Sequence, residues 1–303
     1  MNTTQTKKKN VNYVGMFTVA GLFSLALIIG TVVMFFTKGL NYGVDFRGGV
    51  EIQVKFQEPV TLGTVRDLMN EKNVALSQIQ TIGDESQNEF LLKLETDKNA
   101  DLNAISNKVG NVLSEKFGAN KFEILKNDIV GPKAGAELRV SAFKALFWAI
   151  LAIMIYLALR FDYKFAPGAI AALIHDVTII LGAFILTQKE FSLQIVAALL
   201  AIIGYSVNDT VVIYDRVREI ETANPGLSTF EVINRALNQT MSRTIITSLT
   251  VLGVSLVMLF WGGPVIHDFF FAMTIGVLLG VYSTIFIAVP MTAFLEKYII
   301  KKA

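Results

Sequence analysis

The sequence contains no cysteine, which excludes disulfides and thiolate metal sites. Its two histidines, His175 and His267, are too few and too far apart to suggest a metal cluster. Charged residues make up only 17% of the chain and sum to a net +2, so no nucleic acid or other polyanion is indicated as a partner. No Gly-rich loop ends in Gly-Lys-Ser or Gly-Lys-Thr, which argues against a P-loop ATPase. No Ser/His/Asp arrangement or His-Glu-x-x-His helix stands out, so neither an enzyme nor a resident cofactor is indicated. Any work the chain does draws on something other than its own nucleotide hydrolysis.

What the chain has is apolar length: 53% of it is hydrophobic, which is membrane-protein composition. Six segments near 14–36, 140–159, 166–187, 193–214, 244–262 and 269–295 approach the roughly 20 residues that cross a bilayer. The first follows Lys7, Lys8 and Lys9 but is too long for a cleaved leader and reads as an uncleaved signal anchor. With a cytoplasmic N-terminus, Lys7–Lys9, Arg160, Lys164, Arg216, Arg218, Arg235, Lys297, Lys301 and Lys302 all fall on one side, against mainly Lys189 on the other. The positive-inside rule then predicts that both termini are cytoplasmic.

The chain divides into residues 1–40 (N-terminus and first span), an outside segment 41–135, and 136–303 (five further spans and an inside loop, 215–242). The outside segment is expected to be a small α+β domain. Strands are predicted at 50–56, near 77–82, at 89–95 and at 121–130, and helices at 61–72, capped by Thr61, and at 101–117, with Leu102, Ile105, Val109 and Val112 on one side. That is the β-α-β-β-α-β order of the ferredoxin-like split motif. The loop 215–242 reads as a helical connector lying along the bilayer, with Ser228 and Glu231 at capping-box spacing.

Candidate function lies in polar groups within the spans. In "IIGYSVNDTVVIYDRVRE" (202–219), Asp209 sits in an apolar helix, where a carboxylate costs about +2.5 to +3.5 kcal/mol. Tyr205, Ser206, Asp209 and Val212 share a face, so Tyr205 and Ser206 are expected to hydrogen-bond around the carboxylate, with Asn208 extending the polar set. The fifth span offers Arg243, Thr247 and Thr250 at i, i+4 and i+7, flanked by Thr244 and Ser248. Two readings stand. Asp209 is a proton site whose charge state follows the position of the Arg243 guanidinium, or it is a solvated carboxylate at the span's end, with Arg243 an ordinary anchor. His175 and Asp176, in "ALIHDV" (172–177), lie deeper by counting and suit either a proton relay or a helix-packing pair. The "YDRVRE" run reads as an exposed anchor with local ion pairs. Pro290 is positioned to kink the sixth span.

Three segments carry a resemblance. "GVDFRGG" (43–49), after the first span, resembles the signature opening the external domain of the SecD and SecF proteins. "ALIHDV" and "NDTVVIYDRVRE" resemble the SecF branch, and "SRTIITSLT" (242–250) its fifth-span entry. The resemblance covers nearly the whole chain and implies half of a resistance-nodulation-division-type bundle. It further implies a subunit of the bacterial inner membrane that acts with SecD, beside the SecYEG channel, SecA and YajC. In that role it uses the proton-motive force to draw an unfolded preprotein out of the channel on the outer side. Carried residue by residue, it assigns proton conduction to Asp209 and Arg243. The coupling ion is expected to be H⁺, with Na⁺ an alternative that Asp, Ser and Thr oxygens also suit. Alternative functions are an exporter of lipids or small molecules and a non-transporting scaffold subunit. The motif residues Gly43, Asp45, Phe46, Arg47, Gly48 and Gly49 read as a structural turn between membrane and domain rather than a substrate contact, with Asp45 and Arg47 placed to pair and order it.

Overall fold

The computed structural model describes residues 11–83, 87–95, 101–161 and 163–296. Lys7–Lys9, Lys297, Lys301 and Lys302 of the orientation argument lie outside these. A helical turn, Val14–Met16, leads into α1 (Phe17–Thr37). A one-turn helix α2 (Val44–Arg47) then opens the domain: β1 (Gly49–Phe56), α3 (Leu62–Glu71), β2 (Leu76–Ile82), β3 (Glu89–Glu95), α4 (Leu102–Phe117) and β4 (Phe122–Val130). The remaining spans are α5 (Pro132–Arg160), α6 (Ala166–Thr187), α7 (Leu193–Ala223), α8 (Thr229–Trp261) and α9 (Pro264–Ser283). The last continues through a π-helical turn, Thr284–Ala288, into α10 (Val289–Leu295). Among the described residues, six helices are long and apolar enough to cross a membrane.

The domain follows the predicted element order. Its sheet is antiparallel throughout, in the order β2-β3-β1-β4, which is compatible with the ferredoxin-like arrangement. Alternation on β1 buries Val50, Ile52, Val54 and Phe56 against Val65, Leu68 and Met69 of α3 and Val109, Val112 and Leu113 of α4. Caps set the helix starts: Thr61 Oγ1 accepts from the Thr64 amide at 3.2 Å, and Asp101 Oδ1 accepts from Asn103 and Ala104. The polar face of the sheet, with Glu51, Gln53 and Lys93, looks the other way.

The bundle differs from the expectation between 215 and 242. No connector lies apart from the spans: α7 runs on to Ala223, α8 already begins at Thr229, and only 224–228 turns between them. The apolar stripe explains this. Ile213, Tyr214, Val217 and Ile220 continue the buried face of α7, and Val232, Ile233, Ala236 and Leu237 begin that of α8, while the charges occupy the outer faces. The expected Ser228–Glu231 capping box starts α8. Pro290 stands at the start of α10, just after the π turn. Proline lacks an N–H and crowds the carbonyl four residues back, and a widened turn at that place accommodates both.

Candidate functional site

α6, α7 and α9 form the interior of the bundle: about half of each is buried, against under a fifth of α1, α5 and α8. The buried polar groups lie on the two sides of α7.

On the side facing α8, Asp209 is 3% exposed. Ser248 Oγ donates to Asp209 Oδ2 at 3.4 Å, and the Tyr205 hydroxyl donates to Ser248 Oγ at 3.1 Å. Tyr205 thus reaches the carboxylate through Ser248 rather than by the direct contact expected. Asp209 and Arg243 form no direct ion pair among the described residues, although the guanidinium lies within electrostatic reach of the carboxylate. The expected stripe of α8 is rotated relative to the bundle. Arg243 and Thr250 are exposed and Thr247 is half-buried, whereas the flanking Thr244 and Ser248 face inward. Thr247 and Thr250 turn their hydroxyls back onto carbonyls of their own helix. Thr244 Oγ1 is buried with no hydrogen-bond partner among the described residues. Asn208 is exposed on α7 beside Gly204.

On the other side of α7, Ser206 does not surround Asp209 as expected; its hydroxyl donates to Asp176 Oδ2 at 2.9 Å. Tyr205 and Ser206 stand about 100° apart around the helix, so they straddle the direction of Asp209 and serve different neighbours. Ser283 Oγ of α9 donates to the same Asp176 oxygen at 2.8 Å, and His175 Nδ1 lies 3.0 Å from Asp176 Oδ1. His175 stacks on Tyr282, and its Nε2 is buried without a partner among the described residues. "YDRVRE" divides in the same way. Arg216 pairs with Glu219 and Gln239 on the outside as expected, but Tyr214 is 1% exposed and bonds the Ala288 carbonyl and Thr292. Sequence reading missed Tyr214, Ser283, Thr284 and Thr292; the four-residue spacing of Ser206, Thr210 and Tyr214 on α7 was the available signal.

The motif at 43–49 joins domain to bundle. Gly43 N–H bonds the Phe191 carbonyl, and Phe191 N–H bonds that of Asn41, so the chain after α1 runs beside the α6–α7 loop. Phe46 stacks on Phe191 with ring centroids 5.8 Å apart. Asp45 Oδ2 accepts from the Leu193 amide at 2.9 Å, and Arg47 donates to Asn41 Oδ1. Glu190 accepts from Lys93 Nζ at 2.9 Å and from the Val44 amide at 3.4 Å. Gly48 has φ +85°, and a Cβ there would stand 2.7 Å from Pro132 Cα at the start of α5. The motif is therefore packed against the start of α5, the α6–α7 loop and the start of α7 at once.

These features define a polytopic helical membrane protein with one α+β domain between its first two spans and carboxylates buried in its bundle. Family models agree on which one. The model described as "Protein export membrane protein SecD/SecF, C-terminal" matches residues 108–298, and the "SecD/SecF GG Motif" matches 33–60. The chain belongs to the SecD/SecF family. It is 41% identical over 281 residues to the protein translocase subunit SecF of Calditerrivibrio nitroreducens, covering 92% of each chain. It is 38% identical over 277 residues to SecF of Helicobacter pylori strain J99, covering 90% of this chain and 83% of that one. Among solved structures it is similar to SecDF, a translocon-associated membrane protein, from Thermus thermophilus. There the TM-score is 0.78 and the identity 34%, over 95% of this chain and 39% of that chain. A SecDF structure in the super-membrane-facing form gives 0.72 and 33%, over 97% and 40%. The chain thus spans about two fifths of the solved SecDF chains.

Proposed function

We propose that the chain is the SecF half of a SecD–SecF translocase of the bacterial inner membrane, both termini cytoplasmic, that uses the proton-motive force to advance late steps of protein export. The observation that carries this reading is a buried carboxylate lying just behind an exposed polar helix face. Gly204 and Asn208 of α7 and Arg243 and Thr250 of α8 are all exposed in helices that cross the membrane. Lipid leaves the Asn208 amide and the Arg243 guanidinium unsatisfied, so this face is covered by another protein half, and SecD is the partner that the SecDF structures suggest. Small residues here allow close helix approach. In this reading Asp209 takes up and releases a proton as Arg243 moves toward or away from it, with Ser248 and Tyr205 holding its orientation. One charge crossing about 100 mV is worth about 2.3 kcal/mol, enough to bias a conformational equilibrium roughly fiftyfold. SecYEG, SecA, YajC and the emerging preprotein are the partners this role entails.

The test is export of a secreted precursor by vesicles carrying wild type, Asp209→Asn or Arg243→Met, with and without an imposed proton gradient. Loss of gradient-dependent stimulation in both variants is expected. Equal stimulation in all three rejects proton coupling at Asp209 and favours a scaffold role.

A further inference from the structure

The buried side of α7 carries a second polar system that the Asp209 site does not use. It consists of three hydroxyl rungs, four residues apart on α7 and matched by hydroxyls at 283, 284 and 292 of the helix that runs from α9 into α10. In the first, Ser206 and Ser283 both donate to Asp176. In the second, Thr210 Oγ1 and Thr284 Oγ1 lie 2.8 Å apart. In the third, the Tyr214 hydroxyl lies 3.0 Å from Thr292 Oγ1, and both reach the Ala288 carbonyl. All six side chains are buried.

The ladder ends in ionisable groups. At mid-bundle stands Asp176, faced by His175 and by no cation from α7 or α9 within ion-pair distance among the described residues. At the end of the bundle away from the domain stands Glu296, 5% exposed and one helical turn past Thr292. It is faced by Lys164, whose Nζ lies 3.7 Å away and is also paired with Glu221. Beside Glu296, Glu221, Asn224 and Thr229 line a cavity of about 40 Å³, room for a water molecule.

Two observations distinguish the ladder from ordinary interhelical hydrogen bonding. His175 Nε2, at its inner end, is buried without a partner among the described residues, which leaves a proton-accepting or proton-donating nitrogen unused. Gly168 of α6 abuts the third rung, and a Cβ there would lie 2.7 Å from the Tyr214 hydroxyl, so space is kept for that group.

We propose that this hydroxyl ladder conducts protons between Glu296 and the His175–Asp176 pair. A proton held on the Asp176 carboxylate or on His175 Nε2 passes to the first rung. Each hydroxyl accepts a proton on its oxygen and releases its own toward the next rung, with single water molecules carrying it across the interval of about 6 Å between rungs. The Glu296 carboxylate takes the proton from the third rung and releases it to water at the end away from the domain, and the return of each hydroxyl to its first orientation resets the path. The inference rests on the proton-coupled reading above and adds to it a route from mid-depth to the far end of the bundle.

The experiment uses the full chain reconstituted with its SecD partner in liposomes, reading proton influx under an imposed gradient. Thr210→Val and Tyr214→Phe keep shape and remove one hydroxyl each; Thr210→Ser restores one. Influx falling by about tenfold or more in the first two and returning in Thr210→Ser, with unchanged thermal unfolding, is expected. Influx within twofold of wild type in folded Thr210→Val and Tyr214→Phe overturns the ladder. If one of the two fails to fold, the other with Thr292→Val decides. Asp209→Asn, measured alongside, separates the two ideas: full influx there with loss in the ladder variants overturns the Asp209 site only, and the reverse pattern overturns the ladder only.

Discussion

The Asp45 carboxylate accepts the amide proton of Leu193, the first residue of α7, at 2.9 Å. A side chain from the turn after the first span thereby caps the helix that carries Asp209 sixteen residues on, about 24 Å along its axis. An anion at this position satisfies an otherwise orphan N–H and complements the positive end of the helix. Asp45→Ala is expected to cost about 1 kcal/mol, with Asp45→Asn losing less because its amide oxygen still accepts. Thermal unfolding of the purified protein checks the order; equal losses would show that the contact is not a cap.

Gly48 tests the turn itself. Its φ of +85° and the nearby Pro132 backbone leave no place for a side chain. Gly48→Ala is expected to destabilise by more than about 2 kcal/mol, because strain and a backbone clash add. Lower folded yield and earlier unfolding are the readout, and an unchanged unfolding temperature would contradict the packing described.

Lys93 and Glu190 join the sheet to the α6–α7 loop, each only about 15% exposed or less. A double-mutant cycle with Lys93→Met and Glu190→Gln is expected to return a coupling of about 1 kcal/mol, above that of a fully exposed pair. Glu51, 3.7 Å from the same lysine, softens the single Glu190 variant. Additive effects would show that this pair does not couple the sheet to the α6–α7 loop.

Lys126 lies outside the bundle and offers a pH test. Its hydrogen bond to Asp128 raises its pKa above the ordinary 10.5, with burial opposing and Asp128, Glu51 and Asp45 charges adding. A raised folded-state pKa contributes stability that is present below about pH 10.4 and is lost as pH climbs through the folded value. Half-exposure keeps the effect small. Denaturation between pH 8 and 11 is expected to show a slightly steeper loss in wild type than in Asp128→Asn; identical slopes would mean the pair contributes nothing.

Much of this fold was legible in the chain because its signals are local. Alternation at 50–56, the Thr61 cap, the Ser228–Glu231 box and six apolar runs each require only neighbouring residues. The boundaries of α7 and α8 were missed for the opposite reason: a hydropathy window averages charged outer faces with the apolar stripe, while the helix continues as long as the stripe does.

What the sequence determined alone is that ionisable groups lie in membrane-crossing helices and that a glycine-containing turn precedes a small α+β domain. Only the tertiary structure decided which partner each polar group takes. Residues 205 and 206 are neighbours in sequence, yet a rotation of about 100° per residue sends Tyr205 to Ser248 beside Asp209 and Ser206 to Asp176. Helix period fixes which residues share a face, but only the packing of the helices fixes what that face meets.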